Sequence, residues 1–442
     1  MIATCFGIPC RRLRVLSFSF TFLSFILFDR LKEAIRITTV ATESALSTSK
    51  VDHVARLLET YKGGRYFVYT SENLTLPHIR AMAKDRHSVA TWGRKSWRRR
   101  FKDYAVGELR FYEALENYTD SYVRTLNISE ADFVLVPIPL GAAVFWGYPS
   151  DIENAFNHLL YNEPFFWTHR EKHVYITNNE RLFRHDMIKF FRDCCGFSYE
   201  IVTKISAGML VNDFDPFAFM HYVIKHPDEA WSFQETKPVF RRYWSIGYSH
   251  EASDSKYNLT VASYDDWKNK ELALFYRTTT GTSLYNSTQY RHALFRKNMT
   301  EAEKVLQPSA IGFQVPYFQW FNEISNAKFC LVVRGDNPSS RSFYTAIRVG
   351  CVPMVVSNAL PHYQPLFPSL VNFDDFAILI DEKDFLSNPS ESINHAIRSL
   401  SVFDQKRLIH GLELVQQLLV LDHSHSLFAP AFVHETVARL KG

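Results

Sequence analysis

Short apolar runs alternate with amphipathic stretches along most of this chain. In the first half, β-branched runs predict buried strands at residues 65–70, 132–138, 173–178 and 221–226. Between the first two runs, residues 104–118 predict a helix because apolar side chains recur there at helical spacing. This predicted apolar face consists of Tyr104, Leu109, Phe111, Leu115 and Tyr118.

The second half alternates more regularly. Predicted strands lie at residues 272–278, 309–315, 329–335, 352–357 and 376–381. Helical patterns at 289–298 and 317–325, and a third between the 329 and 352 strands, separate them. Such alternation predicts parallel sheets with right-handed crossovers. We therefore expect an α/β protein with two Rossmann-like domains facing a cleft and joined near residues 228–265, followed by a long amphipathic helix at 408–421.

Length and composition agree with this architecture. At 442 residues the chain exceeds one hydrophobic core, which favours two domains. Its 46% hydrophobic and 22% charged residues are ordinary for a globular protein. The net charge of +4 is too small to indicate a nucleic-acid partner.

The N-terminus has the charge and hydropathy of a membrane-targeting segment. Three arginines precede residues 15–28, which carry no charge. This run is shorter than the roughly 17–25 residues of a spanning helix and matches a signal-peptide core. Charged residues follow it directly, without a small-residue cleavage pattern, so we interpret it as an uncleaved signal anchor. A cleaved signal peptide is the alternative, whereas a buried soluble helix would require a polar face.

This interpretation places the segment 1–14 in the cytosol, an anchor at 15–32 and a Ser/Thr/Ala-rich stem at 33–60, with the rest in the secretory lumen. Six N-x-[ST] patterns, where composition alone gives roughly three, support the placement. They lie at Asn73, Asn117, Asn127, Asn258, Asn286 and Asn298. Cys330 and Cys351 flank one predicted crossover and are read equally as buried thiols or as a bridge.

One stretch, GDNPSSR at residues 335–341, is too polar for a simple turn between buried elements; we call it the polar segment. Asn337 and Pro338 predict a helix start, and Gly350 predicts its end. The segment therefore joins the carboxyl end of a strand to the N-terminus of a helix. Open α/β sheets bind anionic ligands at such junctions.

Two cations strengthen this prediction. A cation in the first turn of a helix opposes the helix dipole, and a bound anion would offset that cost. Arg334 and Arg341 supply the charge, Ser339 and Ser340 supply hydroxyl donors, and Gly335 permits close approach. In the alternative interpretation, Asp336 pairs with one arginine and the serines only cap the helix.

Residues 329–357 resemble the C-terminal motif of the exostosin family of glycosyltransferases. The matching positions are Phe329, Cys330, Leu331, Gly335, Asp336, Pro338, Ser339, Ser340, Ala346, Ile347, Gly350, Cys351, Val352, Pro353, Val356 and Ser357. Segments at 104–115 and 124–137, and His173 before a strand, are similar to the family's N-terminal half. The resemblance covers residues 61–400.

The resemblance implies the GT-B arrangement, with an acceptor-side domain at 61–235, a donor-binding domain at 236–415 and terminal helices at 416–442. It also implies a nucleotide-sugar donor, linked to UDP or GDP, and residence in the Golgi membrane as a single-pass type II protein. Many members carry an acidic residue where this chain has Thr345, and the order Arg341–Ser342 differs from the commoner one. The alternative is therefore an inactive relative that binds glycans or supports an active transferase.

The family's inverting chemistry implies a general base that deprotonates an acceptor hydroxyl. His173, His169 and Asp132 are candidates, although we favour His173 as a core histidine. Besides the polar segment, Arg277 and Arg291 are candidate diphosphate ligands.

We expect no cofactor and no metal, since the DxD at residues 213–215 is a pattern that arises by chance. The basic run at 94–102 matches an acidic glycan or a solvated face. Expected partners are the nucleotide sugar, a glycan or glycoprotein acceptor, the membrane, and a second transferase in a homodimer or heterodimer; nucleic acid is excluded by the lumenal location.

Overall fold

The N-terminal half of the chain forms a first parallel sheet. The computed structural model describes residues 52–84, 108–146, 148–177, 205, 207–212, 242–245, 263–278, 308–313, 315–334, 341–358, 360–363, 367–421 and 426–441. The first sheet has the order β1-β2-β3-β4-β5. Its strands are β1 (Tyr66–Val68), β2 (Phe133–Val136), β3 (His173–Thr177), β4 (Met209–Asn212) and β5 (Arg242–Ser245).

Three predicted strands of this half are confirmed, and the one at 221–226 lies outside the described residues. β4 and β5 were not predicted. β5 pairs in parallel with β4 although it follows residue 235, where we expect the first domain to end. The predicted domain boundaries at 60, 235 and 415 otherwise stay predictions.

Helices cover the first sheet. They are a helix at 52–59, α1 (Glu72–Thr75), α2 (Pro77–Lys84), a helix at 108–116, α3 (Leu140–Trp146), α4 (Pro149–Asn162) and α5 (Pro164–Thr168). The helix at 108–116 confirms the predicted one, although its buried residues do not share one face: Phe111 and Leu115 belong to one hydrophobic cluster and Leu109 to another. Proline begins α4 and α5, where a missing N–H costs no helical hydrogen bond.

The second sheet is also parallel and has the order β10-β9-β8-β6-β7. Its strands are β6 (Leu272–Thr278), β7 (Ser309–Phe313), β8 (Ala327–Val333), β9 (Val352–Val356) and β10 (Ile378–Leu379). All five strands predicted from the apolar runs of this half are present. The mixed α/β class and the parallel sheets are thereby confirmed.

The helices of the second half are α6 (Tyr264–Lys268), α7 (Tyr317–Ser325), α8 (Arg341–Arg348), α9 (Leu360–Tyr363), α10 (Glu382–Ser387), α11 (Pro389–Arg398), α12 (Val402–Leu419) and α13 (Phe428–Lys441). α7 and α8 confirm two predicted helices, and the third, at 289–298, lies outside the described residues. The predicted helix at 408–421 forms most of α12, which begins with a capping box between Ser401 and Asp404.

The last helix, α13, packs against the first sheet. Phe432 on α13 contacts Phe133 of β2 at a ring-centroid distance of 6.1 Å. Phe428 stacks on Phe111 of the helix at 108–116, at 5.4 Å. One continuous hydrophobic core therefore includes side chains of both sheets, and residues 51–442 form one compact unit.

Within the described part of the chain, no helix is long and apolar enough to cross a bilayer, and the anchor predicted at 15–32 lies outside that part.

Candidate functional site

The carboxyl ends of β8, β9 and β10 meet at one edge of the second sheet, because the three strands are parallel neighbours. Arg334 directly follows β8, and its backbone N–H donates to the carbonyl oxygen of Val356 at 3.1 Å. Asn358 follows β9, and Glu382 begins α10 after β10. This is the edge at which parallel sheets bind ligands.

A buried ion pair fixes this edge. The Arg334 side chain is only 3% exposed, and its Nη1 lies 3.5 Å from Oε2 of Glu382. The other oxygen of Glu382 accepts the N–H of Asn358 at 3.0 Å, and the Glu382 N–H donates to Oδ1 of Asn358 at 3.1 Å. A buried charge requires a partner of opposite charge, so Arg334 and Glu382 stabilise each other. Sequence analysis singled out Arg334 but missed Glu382.

α8 runs from this edge into the core. The helix is described from Arg341 onward, and the start predicted at Asn337 and Pro338 lies outside the described residues. Phe343, Tyr344 and Ile347 are buried, as the predicted apolar face requires. Thr345 is also buried.

The far end of α8 is held by several contacts. Gly350 has a φ of 63°, and its N–H and that of Cys351 donate back to the last turn, which confirms the predicted helix end. Nζ of Lys270 donates to the carbonyls of Val349 and Gly350 at 2.9 and 2.8 Å. A disulfide joins Cys351 to Cys330 of β8, which decides between the two alternatives left open by the sequence.

Comparison with known proteins identifies the family. The Exostosin GT47 domain matches residues 67–394, most of the chain. The chain belongs to the exostosin GT47 family. The family resemblance of the motif at 329–357 is thereby confirmed.

Individual relatives align over shorter stretches. Exostosin-1 homolog of Caenorhabditis elegans is 38% identical over 112 residues, which are 24% of this chain and 28% of that protein. Exostosin-1 of Bos taurus and of Mus musculus are each 36% identical over 67 residues, 15% of this chain and 9% of each relative. The alignments thus span well under two thirds of these relatives.

In this exostosin-family chain, most of the predicted donor ligands cannot be placed. Gly335, Asp336, Ser339, Ser340 and Arg291 lie outside the described residues, and Arg341 is placed only as the first residue of α8. The DxD at 213–215 and the basic run at 94–102 also lie outside them. Among the residues that the structure describes, no cluster of His, Cys, Asp and Glu has the arrangement of a metal site.

Arg277 of β6 is paired with a carboxylate. Its Nε and Nη2 each donate to the carboxylate of Glu323 on α7 at 2.7 Å, in a two-pronged contact. Gly312 of β7 makes room for this guanidinium, because a β-carbon there would lie 2.4 Å from Nη1. Arg277 therefore connects β6, β7 and α7 at the same edge of the second sheet.

The three candidate bases lie at the amino-terminal edge of the first sheet, where its strands begin. Asp132 precedes β2 and accepts the N–H of Arg65 at 2.8 Å. His169 precedes β3, and its ring stacks on Phe165 at 4.1 Å. His173 is the first residue of β3. Ligands of parallel sheets bind at the other edge, so this placement does not favour a catalytic role.

His173 has the geometry of a packed core histidine. Its Nδ1 donates to the carbonyl of His169 at 2.9 Å, and its Nε2 lies 3.1 Å from the Tyr69 hydroxyl. Because the carbonyl only accepts, Nδ1 carries the proton and Nε2 accepts from Tyr69. Burial lowers the pKa of His173 to about 4. The ring is therefore neutral near pH 7, with both nitrogens engaged inside the protein.

A second buried carboxylate was also missed by sequence analysis. Glu108 is 1% exposed and accepts the N–H groups of Gly141 and Ala142, at 2.9 and 2.8 Å. These amides belong to the first turn of α3, so Glu108 neutralises the positive end of that helix. This role was not apparent from the sequence because the two amides lie 33 and 34 residues from Glu108.

Three of the predicted glycosylation sites are described, and all three side chains are exposed. Asn73 lies in α1, Asn117 follows the helix at 108–116, and Asn127 caps a short 3-10 helix. Asn258, Asn286 and Asn298 lie outside the described residues.

Proposed function

We propose that this protein is an inverting glycosyltransferase that transfers a sugar from a nucleotide-sugar donor to a glycan or glycoprotein acceptor in the Golgi. Membership of the exostosin GT47 family supports a glycosyltransferase. The observation that carries the donor site is the position of the polar segment between the end of β8 and the start of α8, in a parallel sheet. Family membership and this topology are compatible with a GT-B arrangement.

In the proposed reaction, an acceptor hydroxyl attacks the anomeric carbon of the donor sugar from the face opposite the diphosphate. A new carbon–oxygen bond forms, the bond to the diphosphate breaks, and the hydroxyl proton passes to a general base. Negative charge develops on the leaving nucleoside diphosphate. The amide groups at the start of α8 and the charge of Arg341 would stabilise it, which is the largest electrostatic contribution available to such a site.

The described arginines have a supporting role in this proposal. Arg334 and Arg277 each pair with a carboxylate, Glu382 and Glu323, at the edge where the donor would bind. These pairs fix the ends of β8 and β6 relative to their neighbours. Arg341 is therefore the sharpest test of diphosphate binding, since it is the first described residue of α8 and belongs to the polar segment itself.

We further propose a UDP- or GDP-linked donor, catalysis without a metal, and a type II membrane anchor formed by residues 15–32. The enzyme would transfer a hexosyl or glycuronosyl group and would pair with another transferase as a homodimer or heterodimer. The resemblance of residues 329–357 to the family motif and the charge pattern of the N-terminus motivate these proposals, and each is open to direct test.

A second candidate is an inactive relative that binds glycans or supports an active transferase. Thr345 favours it, because it occupies a buried position on α8 where the family pattern has an acidic side chain. A threonine hydroxyl cannot supply the negative charge of a carboxylate to a ribose or sugar hydroxyl.

Turnover separates the two candidates. Full-length protein in membranes would be supplied with a panel of nucleotide sugars and glycan acceptors, and released nucleoside diphosphate would be measured. We expect turnover with one donor, unchanged by chelator and reduced by about 10²–10³ in Arg341→Ala, the loss typical of removing one transition-state contact. Arg398→Ala, on an exposed side chain at the end of α11, is the matched control.

Two results would overturn the transferase proposal. Equal turnover in Arg341→Ala and the wild type would remove the polar segment from the donor site. Absence of turnover, together with no thermal stabilisation by any nucleotide sugar, would favour the inactive relative.

A further inference from the structure

A cavity lies between the two halves of the molecule. It has a volume of about 410 Å³ and is bordered by the helix at 108–116, by α8, by residues 419–421 and by residues 426, 428 and 429. This volume is within the roughly 300–1,000 Å³ of pockets that hold small ligands.

The cavity lining combines apolar and charged groups. Tyr344, Ile347 and Phe428 contribute apolar surface, whereas Arg110, Glu113 and Arg348 contribute charge. A purely apolar ligand would displace water from the charged groups without replacing its hydrogen bonds, and a small anion would leave the aromatic surface exposed to water. A sugar residue, with hydroxyl groups on its edges and C–H groups on its faces, is suited to both.

Asn117 also lines this cavity, and its side chain is exposed. It begins the pattern Asn117-Tyr118-Thr119, an acceptor sequence for N-linked glycans. Asn117 is therefore both a potential glycan acceptor and part of the cavity lining.

The backbone around Asn117 is held firmly. Its N–H donates to the carbonyl of Glu113 at 2.9 Å and ends the helix. The Tyr66 hydroxyl donates to the carbonyl of Leu115 at 2.7 Å, and Arg124 donates to the carbonyls of Glu116 and Tyr118. These contacts satisfy carbonyls that a helix end leaves open, and they hold the backbone at Asn117 beside the cavity.

We propose that Asn117 carries an N-linked glycan whose first sugars lie in this cavity, between the two halves of the protein. The inference rests on the lumenal location in the proposed function. It does not depend on catalysis.

The attachment step is a substitution at the sugar. The side-chain amide nitrogen of Asn117 forms a bond to the anomeric carbon of a polyprenyl-diphosphate-linked oligosaccharide, supplied by the lumenal glycosylation machinery. The bond between that carbon and the diphosphate oxygen breaks, one amide proton is released, and the polyprenyl diphosphate leaves. No oxidation or reduction takes place.

The other described acceptor sites provide internal comparisons. The side-chain nitrogen of Asn127 donates to Glu130 at 3.0 Å, and that of Asn73 lies 3.2 Å from a ring nitrogen of His158. Neither residue lines the cavity. A glycan at either position would extend into solvent and stay accessible to enzymes.

Thr119 offers a matched pair of variants. Its side chain is exposed, Thr119→Ala destroys the acceptor sequence, and Thr119→Ser preserves it. The full chain would be produced in cells that perform N-glycosylation. Peptide mass spectrometry would measure occupancy at each site, before and after treatment of the native protein with a peptide-N-glycosidase.

We expect Asn117 to be occupied, and its glycan to resist removal in the native protein but not after denaturation. Glycans at Asn73 and Asn127 should be removed from both. Thr119→Ala should melt roughly 2–4 °C below Thr119→Ser, the shift that a modest contact energy gives in a large domain.

The opposite outcomes are distinguishable. An unmodified Asn117 beside modified Asn73 or Asn127 would overturn this inference alone. An Asn117 glycan removed as fast as the others, with equal melting of the two Thr119 variants, would overturn its place in the cavity. If all acceptor sites are unmodified, both this inference and the lumenal location in the proposed function are wrong.

Discussion

Acidification should destabilise the first half of the protein through His173. This histidine is fully buried at the start of β3, with Nδ1 bonded to the carbonyl of His169 and Nε2 facing the Tyr69 hydroxyl. Protonation at Nε2 would place a second N–H where the hydroxyl now donates, and would bury a charge. Nδ1 already carries a proton, so the added proton must bind to Nε2, and the Tyr69 hydroxyl would then have to accept instead of donating.

The magnitude follows from the pKa difference between the folded and unfolded chain. Burial lowers the pKa of His173 from 6.5 to about 4. Between these values the unfolded chain binds a proton that the folded chain does not, so the free energy of unfolding falls as the pH falls. The complete loss is about 3 kcal/mol, of which about 2 kcal/mol is lost by pH 5.

A comparison of variants isolates this residue from other titrating groups. Urea unfolding, followed by tryptophan fluorescence, would be measured at pH 7 and pH 5 for the wild type and for His173→Gln, whose amide does not titrate. We expect the wild type to lose about 2 kcal/mol more than the variant over this interval. His53→Gln, on an exposed side chain, should behave as the wild type. Equal losses in the wild type and His173→Gln would refute the reasoning.

Two further changes test contacts of α12. A hydrogen bond to Glu413 and the proximity of Asp52 raise the pKa of His410 above 6.5, so this stabilisation is complete below pH 6.5 and is lost as the pH rises through the folded pKa. Asp52→Asn should therefore lower the urea midpoint more at pH 6 than at pH 9, and equal effects would contradict this. Gly411→Ala should cost about 1–3 kcal/mol in urea unfolding, because its β-carbon would lie 2.1 Å from the carbonyl oxygen of Asp375; an unchanged midpoint would show that α12 can shift away.

Strands buried on both faces were the easiest elements to predict. β6, β8 and β9 are continuous apolar runs, such as LALFYRT at 272–278, and crossover helices cover both faces of such a sheet. α8 was recognisable because Phe343 and Ile347 mark its apolar face and Gly350 its end. β4 and β5 were missed because they are poor in β-branched residues: β4 contains only Val211 and β5 contains none.

Side-chain pairing at the site was not predictable from the sequence. Arg277 and Glu323 are 46 residues apart, and Arg334 and Glu382 are 48 residues apart. Each pair forms only because separate βα units place their ends at one edge of the second sheet. A local pattern reveals an arginine beside a strand, but not the distant carboxylate that neutralises it. The general base stays a prediction for a related reason, since the sequence shows that a histidine adjoins a strand but not what surrounds its ring.

The two sheets differ in what occupies the positive end of a helix at their ligand-binding edges. In the first sheet, the buried carboxylate of Glu108 already accepts two amides at the start of α3. In the second sheet, the described part of α8 begins with Arg341 and has no acidic residue in its first turn. A helix start that carries a cation instead of an anion gains from an external negative charge, whereas one already bonded to a carboxylate does not. This asymmetry supports the proposal that the diphosphate binds in the second half and leaves the first half to the acceptor.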